Sequence, residues 1–173
     1  MFSGSYDTEL ELLLKKYEAT ETLEERDKRK EDYTYLKQTK AELYVGVYDL
    51  LYLLSKEYTL TINTSASYVN CIPILERLDI INYFDLILTR DDDMGKVKKF
   101  EIIANRYQIK TSELLFVTDS LSDVIQAQEA NVPTIAVSYG IHGKEYFNLS
   151  QYSCILDVAD SVDEMLMVIK NKH

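Results

Sequence analysis

The stretch LLFVTDSLSDVIQAQEANVPTIAVSY, residues 114–139, decides how this chain folds. Leu114 to Thr118 is a short apolar run of the kind that makes a strand buried on both faces, and it stops abruptly at Asp119 and Ser120. Asp123 follows, so Ser120 to Asp123 reads S-x-x-D ahead of the helical pattern Val124, Ile125, Ala127, Ala130. The second acid therefore lies in the first turn of that helix. Asn131 closes the helix, because Asn tolerates the left-handed conformation that helix ends want, and Pro133 blocks any continuation. Thr134 to Ser138 is the next strand. The whole is a strand, helix, strand unit of a parallel sheet, with two acids at the edge where open α/β sheets bind ligands.

Working outward, the chain of 173 residues suits one domain with a small appendage and can bury a proper core, since 46% of it is aliphatic or aromatic. No apolar run approaches the roughly 20 residues that a membrane helix needs, and MFSGSYDTEL lacks a signal-peptide layout, so a cytoplasmic protein without a membrane partner is expected. A net charge of −10 argues against a nucleic-acid partner and is compatible with a divalent cation site. Cys71 and Cys154 are far apart and belong to no C-x-x-C pattern, which makes them core thiols rather than a disulfide or zinc site.

Residues 1–43 are helical in pattern and rich in charge. Leu10, Leu12, Leu13, Leu14 and Tyr17 give one helix an apolar face, and Thr22 to Glu25 offers a capping box for a second, longer helix reaching to Tyr44. Its alternating acids and bases read as a solvated face with i, i+4 ion pairs.

Residues 44–173 have a different texture. Val47, Leu50, Leu51, Leu53 and Leu54 describe a core-packed helix, and YTLTINT, residues 58–64, a strand ending in the hydroxyls Thr64, Ser65 and Ser67. A helix follows to about Leu78; Pro73 predicts that its regular part starts close to that residue or is kinked there. FDLILT, residues 84–89, is a further strand, Arg90 to Gly95 a loop, and Lys96, Lys98 and Lys99 open a helix with an inner face of Phe100, Ile103, Ala104 and Tyr107. Cys154 to Val158 is an edge strand and Ser161 to Lys170 a closing amphipathic helix. Strands alternating with helices in this way predict a doubly wound parallel sheet.

Right-handed crossovers bring the carboxyl ends of all the strands to one rim, and with them Thr64, the lysines after Gly95, Asp119 and Asp123. A hydroxyl, an ammonium and paired carboxylates suit a phosphate bridged to Mg²⁺: hydroxyl and ammonium hold phosphoryl oxygens, carboxylates hold the hard metal. Each residue has a plainer reading. Asp123 fits a capping-box acid, Thr64 a strand-end hydroxyl capping the next helix, His142 a solvated loop histidine, and Asp91 to Asp93 ordinary loop charge; Lys98 rivals Lys96.

INTSAS, GKVKKFEIIANRYQI and LLFVTDSLSDVIQAQEANVPTIAVSYG, in that order, resemble motifs two, three and four of the haloacid dehalogenase superfamily. YVGVYDLLYLLSKEYTLTINT and ILERLDIINYFDLILTRDD are similar to segments flanking motif two in members with a helical cap. The resemblance spans about residues 44–158. It implies the superfamily's Rossmann-like core over residues 44–173, a partial helical cap over residues 1–43, and a Mg²⁺-dependent phosphatase acting on a small phosphorylated molecule. By the same resemblance Thr64 contacts the phosphoryl group, Lys96 neutralises it, and Asp119 and Asp123 serve the metal.

The first motif of that superfamily, D-x-D-G-T at the end of the central strand, supplies the Asp nucleophile, and no such motif occurs in these 173 residues. Without a carboxylate in line with phosphorus the remaining groups cannot form a phosphoenzyme, so negligible phosphatase activity is expected. The central strand is missing with it. The expectation is that an upstream portion supplies that strand; alternatives are strand exchange or complementation by another chain, or a closed-up sheet. The non-catalytic alternative is a pseudoenzyme, a binding or regulatory domain on the same scaffold. A receiver-like signalling domain fits less well, because its acidic cluster lies much earlier in the chain.

Overall fold

The structure, a computed structural model, describes Lys15 and residues 21–93 and 95–171, and divides into two units, Met1–Ala41 and Glu42–His173. In the first unit α1, Leu23–Lys40, starts at Thr22, whose side chain accepts from the Glu25 N–H while the Glu25 carboxylate takes the Thr22 N–H. The capping box is formed as its spacing predicts, and acids in the first turn and lysines in the last complement the helix dipole. The helix ends four residues short of Tyr44. The helix expected around Leu10 to Tyr17 lies outside the described residues.

In the second unit the elements alternate: α2 (Val47–Leu54), β1 (Leu60–Asn63), α3 (Tyr68–Arg77), β2 (Phe84–Leu88), α4 (Lys96–Tyr107), β3 (Phe116–Thr118), α5 (Leu121–Glu129), β4 (Thr134–Val137), β5 (Ile155–Ala159) and α6 (Val162–Asn171). Gly46 precedes α2 at φ +86°, a conformation that glycine adopts freely. Asn131 sits at φ +55° just after α5, the left-handed stop expected of it, and Pro133 follows. Of the two arrangements that Pro73 allows, a helix starting close to it is not the one formed: α3 begins at Tyr68 and Pro73 is its sixth residue, inside the helix. Packing of Cys71 and Leu75 with Ile80 holds that helix in place despite the missing N–H.

All strand pairs are parallel, and they fall into two ladders, β1-β2 and β3-β4-β5. Side chains alternate across β4 as the two-residue strand period requires. Ile135 and Val137 pack with Leu50 and Leu54 of α2 and with Met165 and Ile169 of α6, while Ala136 on the opposite face meets Leu121 and Val124 of α5. Helices thus cover both faces, the doubly wound arrangement read from the sequence. Phe100 of α4 packs with Ala127 and Val132, and with the ring of Phe116 on β3 at 5.0 Å between centroids.

β3 corrects one expectation. Leu114 to Thr118 reads as a strand buried on both faces, yet the regular strand is only Phe116–Thr118 and Val117 is 37% exposed, whereas Ile135 and Ala136 on β4 are fully buried. The reason is positional. Among the described residues β1 and β3 are not hydrogen-bonded to each other, and a cleft of about 710 Å³ lies between them. The two strands have not closed up.

Both cysteines are free thiols; burial raises the pKa of each above the usual thiol value. No helix among the described residues is long and apolar enough to cross a membrane.

Candidate functional site

The carboxyl ends of β1, β2 and β3 bring the side chains of Lys96, Lys99, Thr118 and Asp123 together with the carbonyls of Asn63, Thr64 and Thr89. Lys96, the first residue of α4, is 4% exposed; its Nζ donates to the Asn63 carbonyl at 2.7 Å and lies 3.3 Å from Asp123 Oδ2. Three contacts fix where it stands. The Lys96 N–H donates to Gln126 Oε1 at 2.8 Å, the Lys96 carbonyl accepts from Asn63 Nδ2 at 3.4 Å, and the ammonium sits 5.6 Å from the centre of the Phe116 ring. Lys98, the rival reading, points elsewhere: it is surface-exposed and paired with Glu101.

Asp123 also accepts from Thr118 Oγ1 at 3.0 Å, and the same hydroxyl accepts from the Ser120 N–H at 3.1 Å. Its carboxylate is thus turned to the end of β3 and to Lys96. Ser120 is the N-cap residue of α5 without a side-chain cap bond, so no capping box forms there. Asp119 is held by another element, its Oδ2 accepting from the Ile141 N–H at 2.9 Å. The backbone carbonyl of Asp119 also accepts from the His142 N–H at 3.2 Å. A ring nitrogen of His142 lies 3.4 Å from the Leu121 N–H, and the ring packs edge-on against Tyr146 and Phe147, which makes it a half-buried part of this turn rather than a solvated one.

Gly140 lets this arrangement exist. A Cβ there would fall on the Asp119 side chain, at its Cβ as well as its carboxylate, so the clash cannot be relieved by moving a flexible tip. Gly140→Ala is expected to cost about 2 kcal/mol in urea unfolding. Asp119→Gly in the same chain should return part of that loss, because it removes the Cβ and the carboxylate that the methyl group would meet, whereas Asp119→Ala keeps the Cβ and should return little.

Thr64 ends its strand with its N–H on the Leu88 carbonyl, and its hydroxyl accepts from the Ala66 N–H at 3.1 Å. That bond leaves the hydroxyl proton available to donate. The N-cap reading moves elsewhere, since it is Asp91 that accepts from the Tyr68 N–H at the start of α3. Asp92 accepts from the N–H and the hydroxyl of Thr89, and Asp93 from the Gly95 N–H, so the acidic run folds its own loop.

Sequence reading missed Lys99. It is fully buried, and its Nζ donates to the carbonyls of Thr64 at 2.6 Å and Thr89 at 3.3 Å. Burial pushes the ammonium below the usual lysine value, Lys96 pushes it the same way, and Asp93, Asp123 and Asp92 oppose. The available signal was spacing: Lys96, Lys99, Phe100 and Ile103 recur at i, i+3, i+4 and i+7, one face of a helix. Lys96 and Lys99 thus place two buried ammonium groups at the rim, with Asp123 in contact with Lys96 and with Asp92 and Asp93 close enough to act on Lys99. Among the described residues no group of three or more His, Cys, Asp or Glu side chains is gathered to hold a metal.

Comparison with known proteins gives this geometry a family. A model described as haloacid dehalogenase-like hydrolase matches residues 4–137. Phosphoglycolate phosphatase of Escherichia coli K12 is 32% identical over 104 residues, which is 58% of this chain and 40% of that protein. The phosphoglycolate phosphatase of Photorhabdus laumondii is 37% identical over 87 residues, 49% of this chain and 37% of that one. The matches therefore span well under half of the length of these curated relatives. Among solved structures, a predicted phosphatase from Clostridium acetobutylicum superposes with a TM-score of 0.67 at 28% identity, covering 75% of this chain and 61% of the other. A conserved haloacid dehalogenase-like protein of Agrobacterium tumefaciens gives 0.81 at 15% identity over 98% of this chain and 79% of the other, a likeness of fold. With residues 4–137, most of this chain, matched by the family model, the chain belongs to the haloacid dehalogenase-like hydrolases.

Proposed function

We propose that this chain carries the phosphate- and metal-binding half of a phosphomonoester hydrolase site and, without a carboxylate nucleophile, binds a small phosphorylated metabolite without appreciable turnover. The observation that carries the reading is the Lys96–Asp123 pair at the strand ends, a buried ammonium held beside a carboxylate that no cap requires.

Asp119 and Asp123 are the residues that would hold Mg²⁺. Their donor chemistry fits, because Mg²⁺ takes one or two protein carboxylates and keeps its remaining positions for water and phosphate oxygens. The oxygens engaged in the bonds above are Oδ2 of each residue, which leaves Oδ1 of each for a cation. When bound, the ion would neutralise phosphoryl charge. Lys96 would hold a phosphoryl oxygen from the other side, Thr64 would donate its hydroxyl proton to another, and Lys99 would keep the Thr64 and Thr89 ends fixed. Residues 1–43 would form part of a helical cap that selects the substrate. The curated relatives are named for phosphoglycolate, which makes that ester the natural first ligand to test.

The test is calorimetry with inorganic phosphate and with phosphoglycolate, in the presence and absence of Mg²⁺, alongside release of nitrophenol from p-nitrophenyl phosphate. Binding should require Mg²⁺, disappear in Asp123→Ala and weaken about tenfold in Lys96→Met, the scale of one charge-assisted contact. Release should stay at the blank. Mg²⁺-dependent release that is lost in Asp119→Ala would overturn the expected inactivity, and Mg²⁺-independent binding untouched by both variants would overturn the site.

A further inference from the structure

The first turn of α4 has no cap of its own. Gly95 stands at its N-cap position without a side chain, so the first N–H of the helix has neither an intrahelical acceptor nor a local one. It is served from another helix: the Lys96 N–H donates to Gln126 Oε1 of α5 at 2.8 Å, from a residue 30 positions away. The Gln126 amide is itself oriented. Its Nε2 donates to the Ser122 carbonyl one turn back at 3.3 Å, which leaves Oε1 for α4.

Helix α5 therefore holds Lys96 twice. Asp123 and Gln126 are three positions apart and share a face of the helix. Asp123 takes the ammonium, with Nζ 3.3 Å from Oδ2, and Gln126 takes the peptide N–H of the same residue. The two contacts do different things. An ammonium on a flexible four-carbon stem can follow an acceptor that moves, but only within reach of its own Cα, and the Gln126 bond sets where that Cα stands. The other side-chain contact to the Lys96 main chain, from Asn63 Nδ2 to the carbonyl, is longer at 3.4 Å. Lys96 is 4% exposed and its ammonium lies 5.6 Å from the centre of the Phe116 ring, so the stem has little room to make up for a shifted backbone.

We propose that Gln126 is a positioning residue for phosphate: by capping the first turn of α4 from α5, it keeps the Lys96 ammonium at the strand ends, where a phosphoryl oxygen would meet it. Gln126 acts only through Lys96. The phosphate part rests on the function proposed above; the positioning part does not, because it concerns the Lys96–Asp123 pair, which forms without any ligand.

The experiment uses the full chain and Gln126→Met, which fills the same space without accepting a hydrogen bond. In calorimetry with inorganic phosphate and Mg²⁺, Gln126→Met should weaken binding about fivefold, the scale of one lost neutral hydrogen bond. In a Lys96→Met background the same substitution should change the residual affinity less than twofold. Two further measurements need no ligand. The coupling between Lys96→Met and Asp123→Ala in urea unfolding should fall by at least half when Gln126→Met is present, whereas a merely structural Gln126 would lower the stability of all four proteins alike and leave the coupling intact. Amide exchange in the unaltered chain should show the Lys96 N–H protected although it stands first in its helix, a result that no misfolded variant can mimic. Three outcomes overturn the proposal: an unprotected Lys96 amide in the parent chain, a coupling unchanged by Gln126→Met, or a fivefold loss of phosphate affinity that persists in the Lys96→Met background. A parent chain that binds no phosphate with Mg²⁺ overturns the proposed function instead, and the exchange and coupling measurements still decide whether Gln126 positions Lys96.

Discussion

Replacing Lys99 with alanine is expected to lower the unfolding free energy by about 3 kcal/mol, read from urea denaturation at pH 7. Two losses add. The aliphatic stem leaves a hole in a fully buried position, and the carbonyls of Thr64 and Thr89 lose the ammonium that serves both. Lys99→Met separates them, since it fills the space without donating. The pH dependence has a definite sign. The folded-state pKa of Lys99 is depressed by burial and by Lys96, so between that lowered value and the ordinary lysine value of about 10.4 the unfolded chain binds more protons than the folded one. Stability contributed by Lys99 therefore rises as pH rises through that window. The stability of the parent chain relative to Lys99→Met should grow from pH 7 toward pH 10. Comparing the two proteins cancels the opposite trend from Tyr107 and Tyr83, whose pKa values are pushed up to about 12 and which destabilise the folded chain when they ionise. A gap between the proteins that stays constant with pH would show that Lys99 is not held charged in a costly environment.

Asp123→Ala should cost a similar amount, about 3 kcal/mol, for a different reason. It deletes the carboxylate partner of an ammonium that is 4% exposed, so Lys96 is left with the Asn63 carbonyl and an uncompensated charge. Thr118 loses its acceptor at the same time. If the ion pair carries the effect, removing the charge on both sides is milder than removing one: Asp123→Ala combined with Lys96→Met should be less destabilised than the sum of the two, with a coupling of about 2 kcal/mol in a double-mutant cycle. Strict additivity would assign the cost of Asp123→Ala to the Thr118 hydrogen bond and to packing.

Much of the fold was legible because its signals are local. The Thr22–Glu25 capping box, the left-handed Asn131 and the alternation of strand and helix each depend on residues within a few positions of one another. The residues alone leave Lys98 as a rival to Lys96, which the family resemblance favours; the structure turns Lys98 to the surface. What could not be read is set by neighbours distant in sequence. Pro73 is tolerated inside α3 because the cluster around Cys71, Leu75 and Ile80 outweighs a local rule. Lys99 looks like any surface lysine until the ends of β1 and β2 close over it. Gly140 matters only because a loop 21 residues after Asp119 returns to touch it. Val117 reads as a core strand residue, and its exposure reflects which strand lies next to it, a property of the assembled sheet.

The division of the sheet also bears on how the second unit comes apart. Two ladders that share no hydrogen bond can in principle open independently, and what ties their melting together is the side chains that reach both. Leu50 and Leu54 of α2 belong to a cluster that takes in Leu60 on one ladder and Ile135 and Val137 on the other. Lys96 and Lys99 of α4 likewise hold the ends of β1 and β2 while Phe100 packs on Phe116 of β3. Cooperativity between the ladders therefore passes through helices rather than along the backbone, so α2 and α4 set whether the second unit unfolds as one body or two.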